Sequence, residues 1–91
     1  MLVKWRPEAR SALWNILNYI GDRNPIAALN LFDEIERATQ SLPQHPYLYR
    51  AGRVAGTREL LVSPNYLVIY RVTTDAIEII SVLHTKQEYP N

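Results

Sequence analysis

The chain has 91 residues, no cysteine, 47% hydrophobic residues and a formal net charge of +1. That composition suits one domain with a single core and excludes both a disordered chain and a disulfide-built secreted scaffold. No apolar run reaches the roughly 20 residues of a membrane span, the opening MLVKWRPEAR has no signal-peptide pattern, and the basic excess is small for a protein that grips phosphates, so a cytoplasmic, membrane-free protein is the expectation.

LVKW predicts a short first strand, with Val3 and Trp5 on one face and Leu2 and Lys4 on the other. Pro7 suits the first turn of a helix, and Glu8 sits near its positive end. Ala9, Leu13, Ile16 and Ile20 then recur at helical spacing, with Ala12 and Leu17 on the flanks and Gly21 as the stop. Trp14 falls outside that stripe, beside Leu17 on its rim. An aromatic there either anchors an interface or folds over the edge of the core.

DRNP reads as the turn, with Asn24 as N-cap and Pro25 as the first residue of a second helix. Ala28, Leu31, Phe32, Ile35, Ala38, Thr39 and Leu42 share one side of it. Asp33 and Arg37 are spaced for an i,i+4 pair, and Pro43 ends the helix. Two amphipathic helices so closely joined predict an antiparallel helical hairpin.

PQHPYLYRAG is a loop by its prolines and glycine. Three strand-like runs follow, at residues 57–62, 66–73 and 76–84, separated by SPN and TTD. Turns this short predict a meander. The fold class is therefore α+β, ordered β-α-α-β-β-β, with the helical hairpin packed on a mainly antiparallel sheet. YLVIY and IEIISVL are apolar on nearly every residue. That predicts central strands with both faces at least partly covered, and points to a partner on the face away from the helices.

The charge is unevenly spread. Residues 1–49 balance five basic against five acidic residues, whereas residues 50–73 hold four arginines and a single acid, Glu59. Eight of the ten basic residues are arginine, the cation suited to planar, bidentate contacts. Such arginines are either recognition groups or solvated strand ends.

Metal chemistry is not expected. There is no cysteine, and His45 and His84 lack ligand spacing. Gly21, Gly52 and Gly56 form no phosphate loop, and no nucleophile elbow is present, so no cofactor is expected either. Ribonucleolysis is the enzymatic option, because it needs a base, an acid and cations around the phosphorane. Arg58, Arg71, His84, Lys86 and Tyr89 are the candidates, histidine being the side-chain type whose unperturbed pKa lies near neutrality. Strand alternation opposes convergence, since Arg58 and Glu59 point to opposite faces. His84 as a strand end and Tyr89 as a C-terminal anchor are the structural alternatives.

The element order, the run A…L…I..YI, the HP loop, G.RE and PNY..IYRV together resemble the RelE/ParE superfamily of bacterial toxins, and its ParE branch in particular. The resemblance covers nearly the whole chain. It implies the toxin of a type II toxin–antitoxin module, which inhibits DNA gyrase by protein contact and does not bind DNA directly by itself. It also implies a ParD-like ribbon-helix-helix antitoxin as partner. Glu59 stands where ribonuclease relatives are more basic, and a lysine-rich strand is missing; a ribosome-dependent mRNA endonuclease is the alternative. On this basis Trp14, Arg53, Arg58, Tyr66, Tyr70, Arg71, His84 and Lys86 are candidates for antitoxin or target binding. Some arginines instead brace the hairpin through Glu59 or Glu78. The register that decides between these roles is not legible in the sequence.

Overall fold

In the computed structural model, which describes residues 1–90, strand β1 (Leu2–Trp5) leads into helices α1 (Pro7–Gly21) and α2 (Pro25–Ser41). Strands β2 (Arg50–Ala51), β3 (Arg58–Val62), β4 (Tyr66–Val72) and β5 (Ala76–His84) follow. They form one five-stranded sheet in the order β1-β5-β4-β3-β2. Pairing is antiparallel throughout β2 to β5, and β1 lies parallel to β5. The predicted β-α-α-β-β-β class is therefore observed, with β2 added.

The helix boundaries follow from local chemistry. Proline occupies the first turn of both helices. Asn24 has extended backbone, and its side-chain oxygen accepts the Ala27 N–H at 3.1 Å, satisfying one of the unpaired donors at the start of α2. The α-helix stops at Ser41, just before Pro43, as expected. Leu42–Gln44 add a 3-10 turn, which places Leu42 fully in the core. The expected Asp33–Arg37 pair is not among the ion pairs formed. Both residues are exposed, where water competes for the charges.

The inward stripe of α1 is rotated from the predicted one. Ala9, Leu13 and Leu17 are buried, while Ile16 and Ile20 are only partly covered. Leu17 thus moves from flank to centre. The stripe meets Leu31, Ile35 and Leu42 from the second helix and its extension. Below them lie Leu60, Val62, Val68, Tyr70, Ile77, Ile79 and Val82 of the sheet. Each aliphatic side chain so buried stabilises the fold by about 1.5–3 kcal/mol.

The other face of the sheet is partly closed by the chain itself. Leu67 and Ile69 lie outside the helix-side cluster, yet they are 3% and 0% exposed. The Gly52–Thr57 loop curls over this side: a Cβ placed on Gly56, whose φ is +80°, would lie 3.8 Å from Arg71 Nε. The C-terminal residues join it, with Arg53 Nη1 donating to the Tyr89 carbonyl at 2.9 Å. Part of the apolar excess that pointed to a partner is therefore covered internally. Leu61, at 56% exposure, is not.

Candidate protein-recognition surface

Alternation along the strands sorts the arginines. Arg58 shares the parity of Leu60 and Val62, so it lies on the helix side, whereas Glu59 and Leu61 lie on the open side. Arg58 turns toward the 45–49 loop. Its Nη1 donates to the Tyr49 carbonyl at 2.7 Å and the Tyr47 carbonyl at 3.3 Å, and its guanidinium lies 4.9 Å from the Tyr47 ring centre. Beside it, Tyr70 donates its hydroxyl to the Pro46 carbonyl at 2.9 Å. Burial raises the Tyr70 pKa above its ordinary value of 10.0, partly offset by the charge of Arg58, while Tyr49 adds to the rise. Tyr70, expected on the recognition surface, belongs to the core instead. Its ring is 0% exposed, because its pairing with Arg58 and Ile79 puts it beneath the loop.

The open face carries two guanidinium–carboxylate clusters. In one, Glu59 receives Arg50 Nε at 2.9 Å and lies 3.8 Å from Arg53 Nε. Its side chain is only 3% exposed, and Oε2 has no hydrogen-bond partner. In the other, Glu78 receives Arg6 Nη2 at 3.0 Å and lies 4.0 Å from Arg71 Nη1. Lys4 stands opposite Glu78 in the β1–β5 register. Five cations thus surround two carboxylates. The four arginine side chains are each at least 37% exposed. Arg53 extends the first cluster to the C-terminal segment, lying 5.8 Å from the Tyr89 ring centre.

His84 is elsewhere. Glu78 and His84 have the same parity, so a regular strand would put both on the open face. The register slips between Ile69 and Tyr70, where Ser81 and Ile79 are consecutive partners and Ile80 is passed over. That bulge turns His84 to the helix side, against Tyr66, at 5.2 Å between ring centres in an edge-on arrangement. His84 Nδ1 accepts the Lys86 backbone N–H at 3.1 Å. Asn15, Ile16 and Tyr19 complete a small hollow here. Lys86 itself is exposed.

Arg71 and Tyr66 are five residues apart on β4, a span of about 17 Å. The candidate nucleolytic residues are therefore dispersed. Arg58 and Arg71 occupy one end of the sheet on opposite faces, His84 and Lys86 the other end, and Tyr89 sits with Arg53. Among the described residues, no group of three potential metal ligands occurs, and no helix is long and apolar enough to cross a membrane.

Trp14 is 54% exposed on the outer side of the helical hairpin, stacked on Phe32 at 6.5 Å between ring centres. The two rings border an apolar groove of about 440 Å³ that runs between the helices past Leu29. Two members of the open-face clusters, Arg6 and Arg50, were not among the sequence candidates. Arg6 reaches a carboxylate 72 residues away, and Arg50 lies on a two-residue strand; neither leaves a local signal.

Residues 3–89 match the family described as the ParE toxin of the type II toxin–antitoxin system parDE. The chain is 34% identical over 89 residues to a putative toxin, Y4kP, of Sinorhizobium fredii, covering 97% of this chain and 92% of that one. It is 33% identical over 84 residues to Toxin RelE2 of Caulobacter vibrioides, covering 90% and 92%. Its fold is similar to a chain of the chromosomal ParDE toxin–antitoxin system of P. aeruginosa, with a TM-score of 0.83, 22% identity and coverage of 94% and 97%.

Proposed function

The chain belongs to the ParE toxin family of type II toxin–antitoxin systems, and from that premise we propose that it inhibits DNA gyrase by protein–protein contact in the cytoplasm and is neutralised by a ParD-like ribbon-helix-helix antitoxin. The observation that carries this reading is the open-face array, in which Arg50 and Arg53 share Glu59 while Arg6 and Arg71 share Glu78. One carboxylate between two guanidiniums leaves donors in fixed orientation for acidic side chains of another polypeptide. The exposed Leu61 and the Trp14 groove add apolar surface for the same purpose. A net charge of +1 fits protein recognition better than direct DNA binding.

A second reading is favoured by the likeness to Toxin RelE2: a ribosome-dependent mRNA endonuclease using Arg58, Arg71, His84, Lys86 and Tyr89. The dispersal of these residues speaks against it, because general acid–base catalysis needs its groups within hydrogen-bond reach of the reacting atoms.

Purified protein incubated with gyrase and supercoiled plasmid tests the first reading. Trapped linear DNA is the expected product. No linear DNA, together with cutting of ribosome-bound message, reverses the order of the two readings.

A further inference from the structure

The 45–49 loop is held firmly by its backbone and left bare at its tip. His45–Leu48 form a turn, closed by the Leu48 N–H on the His45 carbonyl at 3.2 Å. Pro46 stands second in it, where its fixed φ already suits the turn. The carbonyls that follow are taken by side chains of the sheet. Tyr70 donates to Pro46 at 2.9 Å, and Arg58 Nη1 donates to Tyr47 at 3.3 Å and to Tyr49 at 2.7 Å. Tyr49 packs against the core. The two side chains at the tip, Tyr47 and Leu48, are nevertheless each 65% exposed.

Neither tip side chain stabilises the fold by burial, so the bracing fixes where they stand rather than what they pack against. Tyrosine loses little freedom on contact, because it has only two side-chain torsions. The Arg58 guanidinium, 4.9 Å from the Tyr47 ring centre, holds the ring further. A rigid, exposed tyrosine is a frequent anchor of protein interfaces. The chain around the tip is also of one sign. No acidic residue occurs between Glu36 and Glu59, an interval that holds Arg37, Arg50, Arg53 and Arg58. Glu59, which pairs with two of these arginines, is itself only 3% exposed.

Resting on the reading that the target is gyrase, we propose that Tyr47 and Leu48 are the tip by which this chain engages that folded protein, entering an apolar hollow with an acidic rim on its surface. A braced, outward-facing tip complements a hollow that exists before contact, and a folded protein presents one. A flexible antitoxin segment that orders on this chain suits grooves and faces instead, such as the groove beside Trp14 or the open face of the sheet. The acidic rim follows from charge complementarity. Arg50, two residues beyond Leu48, has a side chain 65% exposed, and an acidic group of the target meets it there. A second copy of this chain fits less well, because the residues that line the apolar groove between its helices include no acid.

The double variant Tyr47→Ala/Leu48→Ser tests this in two assays. One is the amount of protein needed for half-maximal linear DNA from gyrase and supercoiled plasmid, and the other is calorimetric affinity for the antitoxin. The amount needed in the first should rise roughly tenfold or more, with the second changed less than about twofold. Linear DNA at unaltered concentrations overturns the proposal and leaves the gyrase reading standing. An equal loss in both assays assigns the tip to the antitoxin and also overturns it. Lost self-association with linear DNA unaffected assigns the tip to a second copy, to the same effect. Absence of linear DNA with the unaltered protein overturns the gyrase reading, and the proposal with it. Gln44, exposed beside the turn, tests the rim. Gln44→Lys should lower the amount of protein needed and Gln44→Glu should raise it; equal effects overturn the acidic rim. Should the double variant not fold by circular dichroism, hydroxyl-radical footprinting of the unaltered protein decides. Gyrase should protect Tyr47 and Leu48, and labelling unchanged by gyrase overturns the proposal.

Discussion

The two faces of the sheet are built from the same strands and closed by different physics. On the helix side, Leu13, Ile35, Leu42, Ile77 and Ile79 are at most 2% exposed and pack without charge. On the other side, closure comes from two glutamates, the arginines around them and a loop, and one carboxylate oxygen is left without a hydrogen bond. These apolar core residues carry no side-chain donors, whereas the charged face carries several, anchored by ion pairs. We propose that stability is concentrated on the first and recognition on the second, and substitutions on each should separate the two.

The largest effect on folding is expected in the apolar face. Leu13→Ala should lower the unfolding free energy by about 2–5 kcal/mol, because the surrounding helices cannot fully close the cavity. Urea titration followed by circular dichroism measures it. A loss under about 1 kcal/mol would mean that the helical hairpin is loosely seated.

Glu59→Ala comes next. It removes the carboxylate that Arg50 and Arg53 share, and the expected loss is about 1–3 kcal/mol by the same titration. Because both arginines are substantially exposed, water re-solvates them, which keeps the loss below that of the core deletion. A larger loss would move Glu59 from the recognition face into the structural one.

Tyr70→Phe should cost about 1 kcal/mol, the worth of its hydrogen bond to the Pro46 carbonyl. It also carries a pH signature. The folded-state pKa of Tyr70 is raised above 10.0 by burial, so the folded chain holds this proton more tightly than the unfolded chain does. Its contribution is complete below pH 10, and stability falls as pH climbs from there toward the folded pKa. Tyr70→Phe should flatten that alkaline slope in melting curves recorded from neutral pH upward. An unchanged slope would place another group in control.

These contrasts also show how far the residues announced the structure. The Asn24–Pro25 pair, the helical spacing of Leu31, Ile35 and Leu42, and the turn chemistry around SPN and TTD are local signals, and the elements they predict are present. β2 was not legible, because two residues become a strand only through their partner, Glu59 and Arg58 on β3. The parallel β1–β5 pairing joins the two ends of the sequence, and no local pattern encodes it. The candidate recognition surface was half legible. Alternation separates Arg58 from Glu59, but the sharing of Glu78 by Arg6 and Arg71 depends on register across three strands. The bulge that skips Ile80 carries His84 away from Arg71, and nothing in IEIISVLH marks it.

The smallest folding effect and the largest recognition effect should coincide at Arg71. Its side chain is 37% exposed and stands 4.0 Å from Glu78, so Arg71→Glu should alter stability by less than about 1 kcal/mol. Calorimetric titration of this variant with the antitoxin, beside the unaltered protein, tests the division between the faces most directly. The account predicts affinity weakened by roughly tenfold or more with the unfolding free energy nearly unchanged. Unchanged affinity would contradict it, and the open-face arginines would then be braces for the fold.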